Sequence, residues 1–535
     1  MADDVLKIFA EGRVDAQSLS GFMEQPSDAL VPRRLAPPIN TLNYFLDYLR
    51  ALELVYSQQT GVVNVNGVQV KAITQAVKDA LNSAAIDNNT QVDTLITVTP
   101  KDIGQVAQNL AQVVSERASV KKWGVIGGGV DGYSARFQAA VDAQAAGDKL
   151  LYLPKDTYAL SGIDLKGVTL IGDDATIISD GNTSNRYIFT DSTTDTVKLK
   201  NIIFNGFSNV KDTGDVWQRS FYFANNRNVV LDEVDFISCP GGVGEFGANV
   251  KSVSIKGGNV FSCTDSNGFI IRAQHSIING MTFKDCAEHV IRFGRFNNDA
   301  DVDSGKYSTV SNCSFYNIGN DAILFEINSS HGIVTGCVAE NIRSLVKCET
   351  SDTVTESQKA RRIIVKGNIC VGAIGVVSAC IKLNNSEQSI VTNNIIQGFY
   401  DGINAGKNSV ISNNVLQDIA NQAIRPLGAN VSVSTNNIKT AKVGIVAADF
   451  ADISITGNFV EGCETGIAAI APDTWVSSNK VNNNNIGIRA YGTALNSVIA
   501  MNKGKGNTTP ISNVLSASNI SIKMNFGDLA ASNQP

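Results

Sequence analysis

The chain has 535 residues, long enough for a large buried core, with a formal net charge of −6 and a pI near 5.3. This acidic balance, with only 18% charged residues, excludes the basic footprint of a nucleic-acid-binding protein. The sequence contains no apolar run as long as a membrane span, and its opening lacks a signal-peptide pattern. These features predict a soluble protein that is made in a cytoplasm.

The first 122 residues differ in pattern from the rest. LNYFLDYLRALELVY carries apolar residues at helical spacing, and two amphipathic stretches predict helices at about 69–84 and 101–117. We divide this region into a segment 1–58 and a helical spacer or second N-terminal domain 59–122. This region either serves as a spacer alone, or it attaches the chain to a larger body or mediates oligomerisation.

Residues 123–160 are predicted to cap a solenoid that occupies the rest of the chain. A Gly-rich turn leads into a helix with Phe137, Ala140 and Val141 on one face, and then into LLYLP. The first coil of a solenoid exposes an apolar end and an unpaired edge, so a cap is physically required there.

The remainder carries an asparagine repeat. Asn394, Asn414, Asn437, Asn458 and Asn479 are separated by 20, 23, 21 and 21 residues. A period near 22 with short β-branched runs predicts a solenoid of strands. Asparagines that return to one place in each coil can stack through amide hydrogen bonds. The sequence therefore predicts a mainly β solenoid over 161–526, followed by a tail at 527–535.

The same position in earlier coils is held by Met281, Cys313, Cys337 and Asn368, at intervals of 32, 24 and 31 residues. Two of these coils are about ten residues too long. The extra length falls in polar segments at 295–307 and 351–362, after the same strand of each coil. Long excursions from a regular scaffold are common sites of binding and catalysis.

The nine cysteines fit a narrow interior better than disulfides. Cys239, Cys263, Cys286 and Cys463 close similar phrases at one position of the coil, which favours stacked small apolar side chains. There is no CxxC motif and the chain has only three histidines, so neither a metal site nor a cofactor is predicted.

The motif GGVDGYSARFQAAVDAQ…LLYLPKDTY, followed by coils such as SIVTNNIIQGFYDGINAG, resembles tailed-bacteriophage tailspikes of the pectin-lyase-like superfold. The opening MADDVLKIFAEGRVDAQSLSGF resembles their virion-attachment segments. The resemblance implies a single-stranded right-handed parallel β-helix with an N-terminal, partly helical attachment region. It also implies a parallel homotrimer in the phage tail, docked through the N-terminal region on other tail proteins. The implied activity is depolymerisation of a host surface polysaccharide.

Catalytic positions vary among tailspikes, so the site is argued from this chain. Alternate residues of a strand face opposite ways. With Ile271, Ile291, Phe293, Ile323, Phe325, Val346, Cys348, Ile381 and Leu383 inward, the outward side chains before the inserted segments are largely charged. Glu326 and Glu349, one coil apart, share an outward slot, and strands lie roughly 4.8 Å apart. One of two such carboxyls should be protonated, which is the equipment of glycoside hydrolysis.

Other predicted contacts are substrate-binding. Positive charge suits uronate or pyruvate groups, and aromatic rings can stack on sugars. The predicted substrate-binding residues are Arg272, Arg292, Arg295, Lys347, Lys382, Trp217 and Tyr222. Each has a structural alternative: the glutamates as solvated face residues, the cations as charge balance and the aromatics as core. Glu245 near the slot of Arg292, and the aspartates of DADVD as a weak calcium pattern, remain open.

We therefore expect an endo-glycosidase that hydrolyses an acidic capsule, an O-antigen or an exopolysaccharide such as colanic acid. Retention and inversion stay open. One alternative is a polysaccharide lyase, in which Arg292 or Lys347 would act at a uronate. Another is a non-catalytic adhesin or structural spike.

Overall fold

The computed structural model describes residues 54–57, 62–65, 68–69 and 119–532. Gaps in the last range fall at 130, 183, 207–217, 240–241, 264–267, 295–304, 327–328, 349–358, 374, 492–493 and 514–519. The chain divides into two compact units, 1–122 and 123–535. Within the described part, no helix is both long and apolar enough to cross a membrane.

The described residues of the first unit form a small antiparallel sheet of the strands Leu54–Ser57, Val62–Val65 and Val68–Gln69. The helical pattern expected over 42–56 is therefore wrong at its end, where LVYS pairs with VVNV. β-branched and aromatic residues pack well on a pleated sheet, and this preference wins over the helical spacing. The helix predicted at 101–117, and all but the first residue of the one at 69–84, lie outside the described residues.

The second unit is a parallel β-helix of about 14 coils, as the sequence predicted. A 3₁₀ helix at Val120–Trp123 ends at the first residue of this unit, and the helix Ser134–Ala145 follows, which buries the expected Phe137, Ala140 and Val141. A 3₁₀ helix at Asp528–Ser532 closes it. Asp528 accepts hydrogen bonds from Asn507, so the expected tail in fact begins inside the solenoid.

Each coil passes over three faces, named here in chain order the first face, the second face and the site face. Strands of the first face are Leu150–Leu153, Ser252–Lys256, His275–Asn279, Ser308–Ser311, Ile333–Thr335, Ile364–Lys366, Ile390–Thr392, Val410–Ser412, Val431–Ser434, Ile453–Thr456, Trp475–Ser477, Val498–Ala500 and Ser521–Lys523. Strands of the second face are Thr157–Leu160, Asn259–Phe261, Thr282–Cys286, Ile369–Gly372, Ile395–Gln397, Phe459–Glu461, Lys480–Asn482, Lys503–Lys505 and Phe526–Gly527.

Strands of the site face are Ile163–Asp164, Tyr187–Asp191, Arg219–Phe223, Gly244–Phe246, Phe269–Ile271, Ile291–Phe293, Ala379–Leu383, Asp401–Ala405, Thr465–Ala469, Ile486–Ala490 and Thr509–Asn513. Longer strands bend from the first to the second face at Thr169–Ser179, Val197–Asn205 and Asn228–Ile237, and from the second to the site face at Ser314–Phe325, Val338–Cys348, Val415–Pro426 and Asn437–Ala447. A separate strand pair, Ala360–Arg361 with Ser386–Glu387, comes after the site face.

Repetition fills the interior. The inward residues predicted on the site face, from Ile271 to Leu383, are all buried, and Phe293 stacks on Phe325 at a centroid distance of 5.1 Å. The nine cysteines are free and buried. Small thiols and flat rings thus stack coil on coil, which lets the strands keep their close spacing.

The asparagine ladder occupies the corner between the first and second faces. Each amide nitrogen donates to the amide oxygen of the next coil, as from Asn394 to Asn414 and from Asn458 to Asn479, both at 2.9 Å. The rung between them is Asn436, whereas Asn437, the residue expected there, begins the next strand. Two adjacent asparagines fit the period about equally well, and only the backbone register distinguishes them. The ladder also includes Asn368, Asn502 and Asn525.

Candidate functional site

The coil register places a row of outward side chains on the site face. Successive partners along this row, which we call the site row, are Tyr222, Glu245, Ile270, Arg292, Leu324, Lys347, Lys382, Asn404 and Arg425. Neighbouring strands lie roughly 4.8 Å apart, so the cations recur at the spacing of one or two coils. Arg292, Lys347 and Lys382 thus lie in one row, and Glu245 lies in the same row two coils before Arg292.

Arg292 and Glu326 form a bidentate ion pair. Nε and Nη2 of Arg292 donate to the two carboxylate oxygens of Glu326, both at 2.7 Å. The Glu326 side chain is only 2% exposed and that of Arg292 is 17% exposed. Paired guanidinium hydrogen bonds suit an ionised carboxylate. Glu326 is therefore a buried carboxylate held by a cation, which replaces the solvated face residue considered as its structural alternative.

A second cluster surrounds Asp321, at the bend of the strand Ser314–Phe325, which ends just before Glu326. Its carboxylate lies 3.3 Å from Nδ1 of His289 and 3.5 Å from Nζ of Lys347, and it accepts a hydrogen bond from Ser344. Burial lowers the pKa of His289; Lys347 and Arg292 add to this effect, and Asp321 and Glu288 oppose it. At neutral pH the cluster thus joins a neutral imidazole to a carboxylate.

A third cluster lies toward the N-terminus. Glu245 accepts a hydrogen bond from Arg219, and its other oxygen lies 3.8 Å from Arg272. Burial lowers the pKa of Arg219 to about 10, and nearby arginines reinforce the shift against Tyr187. Arg219 still carries its charge at neutral pH. The Tyr187 and Tyr222 rings stack beside the pair at a centroid distance of 5.2 Å.

The structure places the predicted residues unequally. Arg272 lies two residues beyond Ile270 of the site row, in the row of Gly294 and Glu326, because these three backbone N–H groups each donate to the preceding coil. Leu324, expected to face outward among charges, is 1% exposed. Lys347, Lys382 and Tyr222 are half-buried. Glu349, Arg295 and Trp217 lie outside the described residues, as do the aspartates of DADVD.

Arg219, His289 and Asp321 are site residues that the sequence did not predict. Arg219 sits at the start of the strand whose Tyr222 was predicted to bind substrate, so its position in the coil could have been read from the same alignment. Asp321 lies within the strand Ser314–Phe325, which ends just before Glu326, and His289 precedes the strand Ile291–Phe293, which carries Arg292. Extending the outward pattern into the preceding bend would have found both.

Together these clusters hold three carboxylates within a field of arginine and lysine. Such a surface can bind an anionic polymer, and it can keep carboxylates ionised next to a reacting sugar. Among the described residues, no group of three or more His, Cys, Asp or Glu side chains could hold a metal ion.

The chain resembles solved β-helix proteins in fold. Bacteriophage CBA120 tailspike protein 3 is 14% identical, with a TM-score of 0.41, and the match covers 86% of this chain and 70% of that one. Gene product 12 of bacteriophage phi29, in its pre-mature form, is 14% identical with a TM-score of 0.45, over 78% and 57%. The adhesin PfbA of Streptococcus pneumoniae is 16% identical with a TM-score of 0.37, over 75% and 93%. Phage tailspikes are thus among the structures that this chain resembles, and the likeness concerns the β-helix alone.

A family model described as periplasmic copper-binding protein (NosD) matches residues 360–526. The match covers less than half of the chain, and the three histidines all precede it. The cysteines within it, Cys370, Cys380 and Cys463, are buried in the interior. The search of curated proteins found no match.

Proposed function

We propose that this chain is a phage tailspike that binds and depolymerises an acidic bacterial surface polysaccharide. The observation that carries the proposal is the buried carboxylate of Glu326, held by the guanidinium of Arg292 from the site row, on a coil between the two inserted segments. Anionic sugar substituents would pair with Lys347 and Lys382, which are half-buried and in register. The virion location and the homotrimer belong to the same proposal and come from the sequence resemblance.

The reaction is endo-glycosidic hydrolysis by Glu326 and Glu349. The two glutamates are 23 residues apart in the sequence, the length of one coil, and this spacing predicts that they share one outward slot. Arg292 suits Glu326 to the ionised role, as nucleophile or as base for water. Glu349, next to that negative charge, is the proton donor to the leaving oxygen.

A lyase is the second candidate, and His289 favours it. A neutral imidazole, lying 3.3 Å from Asp321 and close to Lys347, has the protonation state of a general base. In that reaction a base removes the proton next to a uronate carboxylate that a cation neutralises. The glutamates would then matter less than His289 and Lys347.

The test is incubation with a panel of acidic and neutral bacterial surface polysaccharides. Mass spectrometry should find oligosaccharides of one repeat size, each with a new reducing end and one added water. Absorbance near 232 nm, from unsaturated uronyl ends, would assign the lyase instead. Polymer that is bound but keeps its length would overturn both and leave an adhesin. Light scattering should give three times the chain mass of 56.9 kDa.

A further inference from the structure

A column of planar side chains stands at the corner between the site face and the first face. The register of the first face aligns its members coil by coil. We call His275, Tyr307, His331, Arg362 and Gln388 the planar column. In the later coils the same position holds Asn408, Asn430, Asp452, Asp473 and Asn496.

The first three members of the planar column stack on one another. The ring centroids of His275 and Tyr307 are 5.1 Å apart, and those of Tyr307 and His331 are 4.7 Å apart. Arg362 extends the column by hydrogen bonds, because its Nη1 lies 2.9 Å from Nε2 of His331 and its Nε donates to Gln388 at 3.1 Å. The Tyr307 ring has an imidazole on each face, so it presents its edge to solvent.

The backbone at this position is left-handed. Tyr307, His331, Arg362 and Gln388 have φ values of 52°, 58°, 56° and 58°. Asn and Asp adopt this conformation comparatively easily, whereas bulky side chains are strained in it. The later coils use Asn and Asp throughout. Only the coils around the inserted segments place large planar groups there, and strain retained in this way points to function.

The planar column lies beside the candidate site. Five residues separate Glu326 from His331, a reach of at most about 17 Å along the chain. Tyr307 is the last residue of the first inserted segment, and Arg362 is the last residue of the second. The column and the site row therefore flank the same two insertions.

Its exposed groups suit a sugar polymer. Tyr307 is 51% exposed, and His275 and Arg362 are exposed as well. A phenol, an imidazole and a guanidinium thus offer hydrogen-bond partners along the edge, at roughly the spacing of the coils. Burial, together with Arg362 and Lys306, lowers the pKa of His331, so this ring can accept the bond from Arg362 in its neutral form.

We propose that the planar column is a secondary, non-catalytic binding site for the acidic polysaccharide, a proposal that rests on the proposed function. Tyr307 and His275 hydrogen-bond sugar hydroxyl groups. Arg362, with Lys306 two coils earlier, pairs with acidic substituents. A long polymer thus contacts both sides of the inserted segments, which raises its affinity through linked contacts.

The test replaces Tyr307, His331 and Arg362 together by Asn, the residue that the later coils use. Binding of each long polymer of the panel is measured by affinity electrophoresis. The dissociation constant should rise about tenfold, as expected for the loss of one or two hydrogen bonds. The melting temperature should stay the same or rise, because Asn relieves the strain. The matched control changes Asn408 and Asn430 to Ala and should leave polymer affinity unchanged.

Unchanged affinity in the triple variant would overturn this inference and leave the depolymerase proposal standing. A changed oligomeric mass in light scattering would also overturn it, since the column would then be a contact between copies. If the wild-type chain binds polymer without cleaving it, the depolymerase proposal fails while the weaker binding of the triple variant still supports the column. A wild-type chain that binds no polysaccharide of the panel overturns both.

Discussion

The coils from Asn394 to Asn525 and those from His275 to Gln388 solve the same packing problem differently. In the later coils the corner between the first and second faces holds one asparagine after another, joined by hydrogen bonds of about 3 Å between their side-chain amides. In the earlier coils that corner holds Met281, Cys313 and Cys337. On the site face of the earlier coils, buried polar groups are satisfied across coils by specific pairs such as Arg292 with Glu326.

This difference separates the coils that mainly stabilise the fold from the coils that carry the candidate site. A ladder satisfies buried amides by repetition, so each coil supports the next and little is left over for a ligand. The earlier coils break the repeat with inserted segments, buried charges and strained corners. Each of these departures costs conformational or desolvation free energy, so a compensating role is expected of them.

The largest expected effect is on cleavage. Glu349→Gln should lower the rate of polysaccharide cleavage by about a thousandfold or more, because the proton donor is lost. Glu340→Gln, on the second face of the same coil, is the matched control and should cleave like the wild type. The rate is measured by reducing-end release. A Glu349→Gln variant with normal activity would remove the hydrolytic assignment.

The ion pair of Arg292 with Glu326 should contribute to stability. An outward position on the strand alone predicts that Glu326 can be replaced without harm to folding, but its 2% exposure and its bond to Arg292 predict a loss of stability. Arg292→Met should destabilise the fold by about 3 kcal/mol, because it strands a buried carboxylate. The double variant Arg292→Met with Glu326→Leu should recover most of this loss. Denaturant midpoints measure both, and an equally unstable double variant would contradict the pairing.

The ladder can be broken at one rung. Asn436→Ala should cost about 2–3 kcal/mol, because it removes the oxygen that accepts from N and Nδ2 of Asn414 and the amide nitrogen that donates to Asn458. Asn437→Ala should cost no more than about 0.5 kcal/mol, because that side chain is outside the ladder. Equal losses in the unfolding midpoint would show that the register assigned to the two residues is wrong.

Much of the fold is legible in the sequence because it repeats. The interval between asparagines predicts the coils, the failed intervals predict the insertions, and alternation predicts the buried row from Ile271 to Leu383. These patterns are local, and the same pattern can be compared from one coil to the next. The capping helix was predictable for the same reason, since an apolar stripe at helical spacing must face the open end.

The site residues were harder to predict from the sequence, because alternation along a strand predicts which side a residue faces and not how deeply it is buried. Leu324 and Glu326 do not point into the core, yet long neighbouring side chains leave them almost no exposure. The pair of Arg219 and Glu245 spans 26 residues across coils of unequal length, so its register depends on the backbone. A period that fails locally cannot align such pairs.

The smallest expected effect is a pH dependence in the Asp321 cluster. The pKa of His289 is lowered in the fold below its unfolded value of about 6.5, so the proton binds more tightly to the unfolded chain. The stability linked to the neutral ring is therefore present above about pH 6.5 and is lost as the pH falls toward the folded pKa. His289→Asn should reduce the fall in melting temperature between pH 7 and pH 5 by about one or two degrees. His275→Asn, at an exposed ring, should leave that fall unchanged, and an identical fall in both variants would place the titration outside this cluster.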